Sequence, residues 1–168
     1  MKYERARDLE EKIKDIVEKL NINYVNIERI ACFRSYGTNS RRVIARCHGL
    51  PKVMQLGMNT DPFYVIEVIS ERFDKMNEEE RTKVLIHELL HIPKSFGGGF
   101  RQHDYVNRRT VEKFYSEYKR KNEEDKVKIE ETSQKTNVKD EIEAESRKNE
   151  NIGLIDRMKF FLNKEKDK

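Results

Sequence analysis

The sequence is poor in cysteine and has no long apolar run. Cys32 and Cys47 are the only cysteines in 168 residues, and they form no C-x-x-C pair. A zinc ribbon is thereby disfavoured. Buried free thiols in a reducing compartment are expected, with a disulfide as the alternative. No apolar stretch approaches the ~20 residues that span a bilayer, so no membrane partner is expected. The first residues, Met1-Lys2-Tyr3-Glu4-Arg5, read as the start of a charged helix rather than a signal peptide. A soluble, cytoplasmic protein is the expectation. An excess of one charge is also missing. Thirty-five basic and 31 acidic residues leave a net charge of +4. That balance gives nucleic acid no support as a partner, although it leaves the case open. Lys and Glu dominate the charges, a composition associated with heat-adapted sources.

Apolar residues make up 36% and charged residues 39%, low and high against ordinary domains. Most of the apolar residues precede Tyr118. One domain over residues 1–121 is expected, then a charged linker or tail over 122–150 and a short amphipathic helix over 151–168. In that last segment Leu154, Ile155, Met158, Phe161 and Leu162 share one helical face. It could dock on the body of the protein or on a protein partner.

The chemistry is concentrated in Val84-Leu85-Ile86-His87-Glu88-Leu89-Leu90-His91. On a helix, His87 and His91 lie one turn apart on the same face, where two imidazoles can share one zinc ion. Glu88 is rotated away from them, free to act as a base rather than a ligand. The flanking apolar residues predict a buried helix, in which two unpaired histidines and a carboxylate would be costly without a metal. The best third ligand is His103, twelve residues after His91 and beyond a Pro and Gly-rich turn. Asp104 and His48 are the competitors.

Along the chain, residues 3–20 predict an amphipathic helix through Ala6, Leu9, Ile13, Ile16, Val17 and Leu20, ended by Asn21 and Asn23. Residues 24–70 predict a small, mostly antiparallel sheet. Its strands fall at 24–33, 42–48, 52–58 and 63–69, the first two joined by a hairpin at 35–40 and the last one central. Arg34, Arg41, Arg42 and Arg46 cluster about that hairpin, as a charged surface or a site for an acidic ligand. Residues 71–76 predict a connection of about one helical turn. Asn77 and Glu80 form a capping box for the next helix, over 78–91, and Pro93 stops it. Gly97-Gly98-Gly99 can take backbone conformations that bring the chain close to a metal or substrate. A second helix is expected over about 104–121, with His103 at its start and Val111, Phe114, Tyr115 and Tyr118 as its stripe.

At His87-Glu88-Leu89-Leu90-His91 the sequence resembles zinc-dependent metallopeptidases of the zincin clan. His87 to Pro93, Gly97-Gly98-Gly99 and His103, with Phe33-Arg34-Ser35 and Ile44 to Pro51, together resemble a small metallopeptidase family of archaeal and phage genomes. The resemblance covers roughly residues 25–115. It implies an α+β, minimal zincin-like fold, a small sheet against an active-site helix and a backing helix. Metzincins differ, because Lys94 holds their glycine position and Gly97 their last histidine position. Gluzincins use a downstream Glu, for which Glu112 is badly placed. The third histidine is closer to the SprT-like and Wss1-like DNA-linked proteases.

The resulting expectation is a peptidase with one zinc ion per chain on His87, His91 and His103, Glu88 as general base, and a peptide or protein substrate. Tyr105 or Arg101 could donate to the transition state, and an exposed strand edge beside the helix could bind an extended peptide. Two alternatives carry the same site: a hydrolase of a non-peptide amide, and a non-catalytic zinc-binding adaptor.

Overall fold

The computed structural model describes residues 1–38 and 42–128. The C-terminal helix expected over 151–168, most of the linker expected over 122–150 and Arg41 lie outside them. Contacts divide the chain into Met1–Asn122 and Glu123–Lys168. The sheet and the three histidines belong to the first unit.

Strand β1 (Lys2–Arg5) leads into helix α1 (Arg7–Lys19). The opening residues are therefore an exposed edge strand, not part of the predicted helix. A four-residue strand with no apolar face leaves no period to read. In α1, Leu9, Ile13, Ile16 and Val17 form the buried stripe. Asn21, at φ 51°, ends it in the left-handed conformation that Asn tolerates.

A short 3-10 turn (Ile27–Arg29) enters β2 (Ile30–Tyr36), followed by β3 (Ala45–Gly49), α2 (Lys52–Gly57) and β4 (Tyr64–Ile69). The strand order is β1-β2-β4-β3. β4 pairs in parallel with β2 and antiparallel with β3, and β1 is antiparallel to β2. Two of the three pairings are thus antiparallel, and β4 is internal as expected. The predicted hairpin between the first two strands is not formed. The more apolar β4 inserts between β2 and β3 and buries both of its faces.

The predicted strand over 52–58 is instead α2. Pro51 precedes it at φ −61°, a value ready for a helix start, and its carbonyl accepts from the N–H groups of Met54 and Gln55. Gln55 alone among its residues is buried, bonding the carbonyls of Leu50 and Gly97 at 2.7 and 3.0 Å. Met54, Leu56 and Met58, which alternate as a strand's residues would, are exposed, as is Val53.

Register puts Ile30, Cys32, Tyr64, Ile66 and Val68 on one face of the sheet. These residues join α1 and the next long helix in a single apolar core. Cys32 and Cys47 sit on that face with Ile66 between them. Their strands are two spacings apart, ~9.6 Å, beyond disulfide reach. Both are free thiols. The opposite face carries Glu67, which is 4% exposed. It accepts from His48 Nε2 at 2.8 Å and lies 3.4 Å from Arg46 Nη1.

After α3 (Ser70–Phe73) comes α4 (Glu78–Leu90). Asn77 and Glu80 form the expected capping box. Thr82, Leu85, Ile86, Leu89 and Leu90 bury α4 against the core. The last described helix, α5, runs from 108 to 128. It starts later than expected because Asn107, not Asp104, caps it, accepting from the Thr110 N–H at 3.0 Å. Asp104 instead accepts from the Tyr105 N–H, in the preceding turn. No helix among the described residues is long and apolar enough to cross a membrane.

Candidate metal centre

Three pieces of chain meet at the end of α4. The helix contributes His87 and His91 from one face. The segment that leaves it through Pro93 and the three glycines returns with Arg101 and His103. The edge strand β3 runs along the third side.

The return path is held tightly. The Tyr64 hydroxyl accepts from the Gly98 N–H at 2.8 Å and donates to the Gly99 carbonyl at 3.0 Å. Tyr64 is fully buried, so these bonds fix the loop to the central strand. Phe96 and Phe100 pack on its ring, with centroids at 4.9 and 6.3 Å. Gly98, at φ +91°, passes against Leu50 so closely that no side chain fits. The loop then bonds back to the helix end, with Arg101 N–H to the His91 carbonyl at 2.8 Å.

The histidines converge. One nitrogen from each of His87, His91 and His103 lies within 4.8 Å of the others. His91 and His87 face each other through their Nε2 atoms at 3.2 Å. The ring of His103 lies 4.7 Å from that of His91 and 5.6 Å from that of His87. His91 Nδ1 is 2.8 Å from the Arg101 carbonyl. A carbonyl only accepts, so Nδ1 carries a proton and Nε2 is the nitrogen turned toward the cluster. That is the tautomer a metal ligand needs. Burial, with His91 and His103 adding to it, pushes His87 down to about 4, which keeps its imidazole neutral. The donor set fits a divalent ion, because three imidazole nitrogens are brought within coordinating reach of one point. His48 is not part of the cluster, being turned to Glu67.

Glu88 is buried on the same helix, and it too faces the cleft. Burial raises its carboxyl to about 7, opposed by a hydrogen bond from the Cys47 backbone N–H. Arg101 lines the same cleft, its guanidinium stacked 4.6 Å over Tyr105 and 5.3 Å over Tyr24. Glu112 is paired to Lys83 at 2.8 Å. The parts that the sequence did not disclose are the Arg101 carbonyl, the Cys47 N–H and the Tyr64 hydroxyl. Two are backbone groups with no side-chain signature, and Tyr64 reads as an ordinary strand aromatic.

A four-stranded mixed sheet, a helix bearing H-E-x-x-H and a third histidine returned by a loop make up a minimal zincin-like α+β fold. The chain belongs to the family described as "Putative phage metallopeptidase", whose sequence model matches residues 1–145. That membership makes it a metallopeptidase-family protein. It implies a metal, which the three histidines could hold, and a peptide or protein substrate. Among curated proteins and solved structures, none matches the chain.

Proposed function

We propose that the protein is a zinc-dependent endo- or exopeptidase in which His87, His91 and His103 hold one zinc ion per chain and Glu88 is the general base. The observation that carries this reading is the convergence of three imidazole nitrogens beside a buried carboxylate on the same helix. An all-imidazole set of three suits zinc and leaves a fourth position open, the pattern of catalytic rather than structural sites. Bound there, the ion supplies Lewis-acid activation of water and of the scissile carbonyl.

The remaining steps belong to the protein. Glu88 takes the proton of the attacking water on a carboxylate oxygen and passes it to the departing amine. Its carboxyl, raised to about 7 by burial, is suited to both halves of that transfer. The Cys47 N–H orients it. The Arg101 carbonyl fixes the ring of His91. The guanidinium of Arg101 is the better of the two expected transition-state donors, since it lines the cleft. Tyr105 serves as its stacking partner.

The edge of β3 supports an extended substrate. The Ile69 N–H bonds the Ile44 carbonyl, and the Leu50 N–H bonds the Phe63 carbonyl. Polar groups alternate in an antiparallel ladder, so those of Ala45, Cys47 and Gly49 turn away from β4. Cys47 directs its N–H at Glu88, and its carbonyl and the groups of Ala45 are placed for an added strand. A buried base beside the histidines has no purpose in an adaptor with structural zinc. Glu88→Gln tests the assignment: peptide hydrolysis should be lost while bound zinc is kept. Hydrolysis at the wild-type rate in that variant would contradict it.

A further inference from the structure

A second cavity, of about 810 Å³, opens on the side of the cleft away from the glycine loop. His87 and Glu88 line one end of it. Its walls are apolar: Val43, Ile44 and Ala45 from the approach to β3, Met76 and Val84 beside α4, and Val111 from α5. Four charged side chains besides Glu88 form its rim with Arg42, and most of them are already engaged. Glu80 accepts from the Asn77 N–H in the capping box, and Lys83 is paired with Glu79 and Glu112 at 2.7 and 2.8 Å. Arg108 and Arg42 are exposed, and among the described residues neither guanidinium meets a carboxylate.

The direction of a bound peptide gives this cavity its place. Antiparallel pairing is the more stable way to add a strand to β3. Such a peptide runs from Gly49 toward Val43, so the residues after the scissile bond pass over this cavity. An apolar pocket next to the reacting bond, with two guanidiniums at its mouth, matches an apolar side chain followed by an anion.

We propose that this cavity receives the residue immediately after the scissile bond, and that it selects an apolar side chain followed by a carboxylate held between Arg42 and Arg108. The proposal rests on the peptidase reading above. The carboxylate could come from an acidic side chain or from the end of the substrate chain, since a guanidinium binds both in the same way.

The test is an NMR titration of the full chain loaded with one zinc ion, using four product-like peptides. Leu-Asp amide carries a side-chain carboxylate, Leu-Ala free acid a terminal one, Leu-Ala amide none, and Gly-Asp amide lacks the apolar side chain. At least one of the first two should bind about threefold to tenfold tighter than Leu-Ala amide, a range set by exposed, charge-assisted bonds. Whichever does so identifies the source. The advantage should vanish in the Arg42→Gln/Arg108→Gln double variant, whose exposed positions tolerate the change, and Gly-Asp amide should bind more weakly than Leu-Asp amide. Equal binding of charged and neutral peptides, or an advantage that survives the double variant, overturns the proposal. Cleavage of a mixed peptide pool by wild-type protein is scored separately. No cleavage, with charge-dependent binding intact, overturns the peptidase reading and leaves the carboxylate subsite. Cleavage without the binding preference overturns the subsite alone.

Discussion

Replacing Gly98 by alanine sets a methyl group against the backbone of the neighbouring turn. An ideal Cβ at this position would lie 2.1 Å from the Leu50 carbonyl oxygen and 2.5 Å from Gln55 Nε2. The first contact cannot relax by rotating a side chain. The φ of +91° adds about 1–2 kcal/mol for a residue with a Cβ. Overpacking of this kind adds roughly 1–3 kcal/mol. The sum is a loss of about 2–5 kcal/mol, a large part of a small domain's stability. The assay is urea unfolding, with the midpoint shifted and the slope retained. The path of the chain supplies a second readout. If the loop moves to relieve the clash, the Arg101 carbonyl leaves His91 Nδ1. Losing the hydrogen-bond partner of a metal ligand lowers affinity ~10–100-fold. Gly99→Ala is the control, since nothing lies within 4 Å of its added methyl, and it should stay within about 0.5 kcal/mol. A Gly98→Ala loss below about 1 kcal/mol with zinc affinity unchanged would refute the view that this loop is clamped.

Other perturbations have equally definite outcomes. Tyr64→Phe leaves the buried Gly98 N–H without its acceptor, so unfolding should become easier by about 1–3 kcal/mol. Glu67→Gln should cost about 1–2 kcal/mol at pH 7, because Glu67 is buried while its partners His48 and Arg46 are partly exposed. Burial raises its carboxyl, but Ser35, His48 and Arg46 more than offset that and hold it below the usual range. Its contribution is therefore full above the ordinary carboxylate pKa and fades as pH falls through the lowered value. The difference between Glu67→Gln and wild type in unfolding free energy should shrink correspondingly in acid. Burial pushes the Cys32 thiol up to about 12 and the Cys47 thiol higher still. At pH 8 roughly 10⁻⁴ of Cys32 is thiolate, so iodoacetamide should label neither cysteine until the chain unfolds. Rapid labelling of the native protein would contradict the burial of this face.

The two kinds of sequence signal fared differently. The relative placement of His87, His91 and Glu88 was legible because helical spacing alone fixes it, and α4 announces its start through Asn77 and Glu80. The return of His103 to that pair was legible from the glycine-rich turn, together with the expectation that two histidines do not complete a metal site. Sheet order was not legible, because the choice of strand neighbours depends on which strand buries two faces, and β2 and β3 are close in sequence without pairing. The segment that forms α2 misled because Met54, Leu56 and Met58 alternate as in a strand, whereas the structure leaves them exposed and buries Gln55. β1 was hidden by its charge. An edge strand with two exposed faces carries no apolar alternation at all.

The most direct measurement is zinc content and affinity of the full chain beside its His103→Ala variant. A three-histidine centre predicts one zinc ion per wild-type chain. It also predicts that the variant loses more affinity than the ~10–100-fold typical when a ligand merely loses its hydrogen-bond partner. Equal zinc content and affinity in the two proteins would remove His103 from the centre. Failure of the wild-type chain to take up any divalent metal would contradict the three-histidine site altogether.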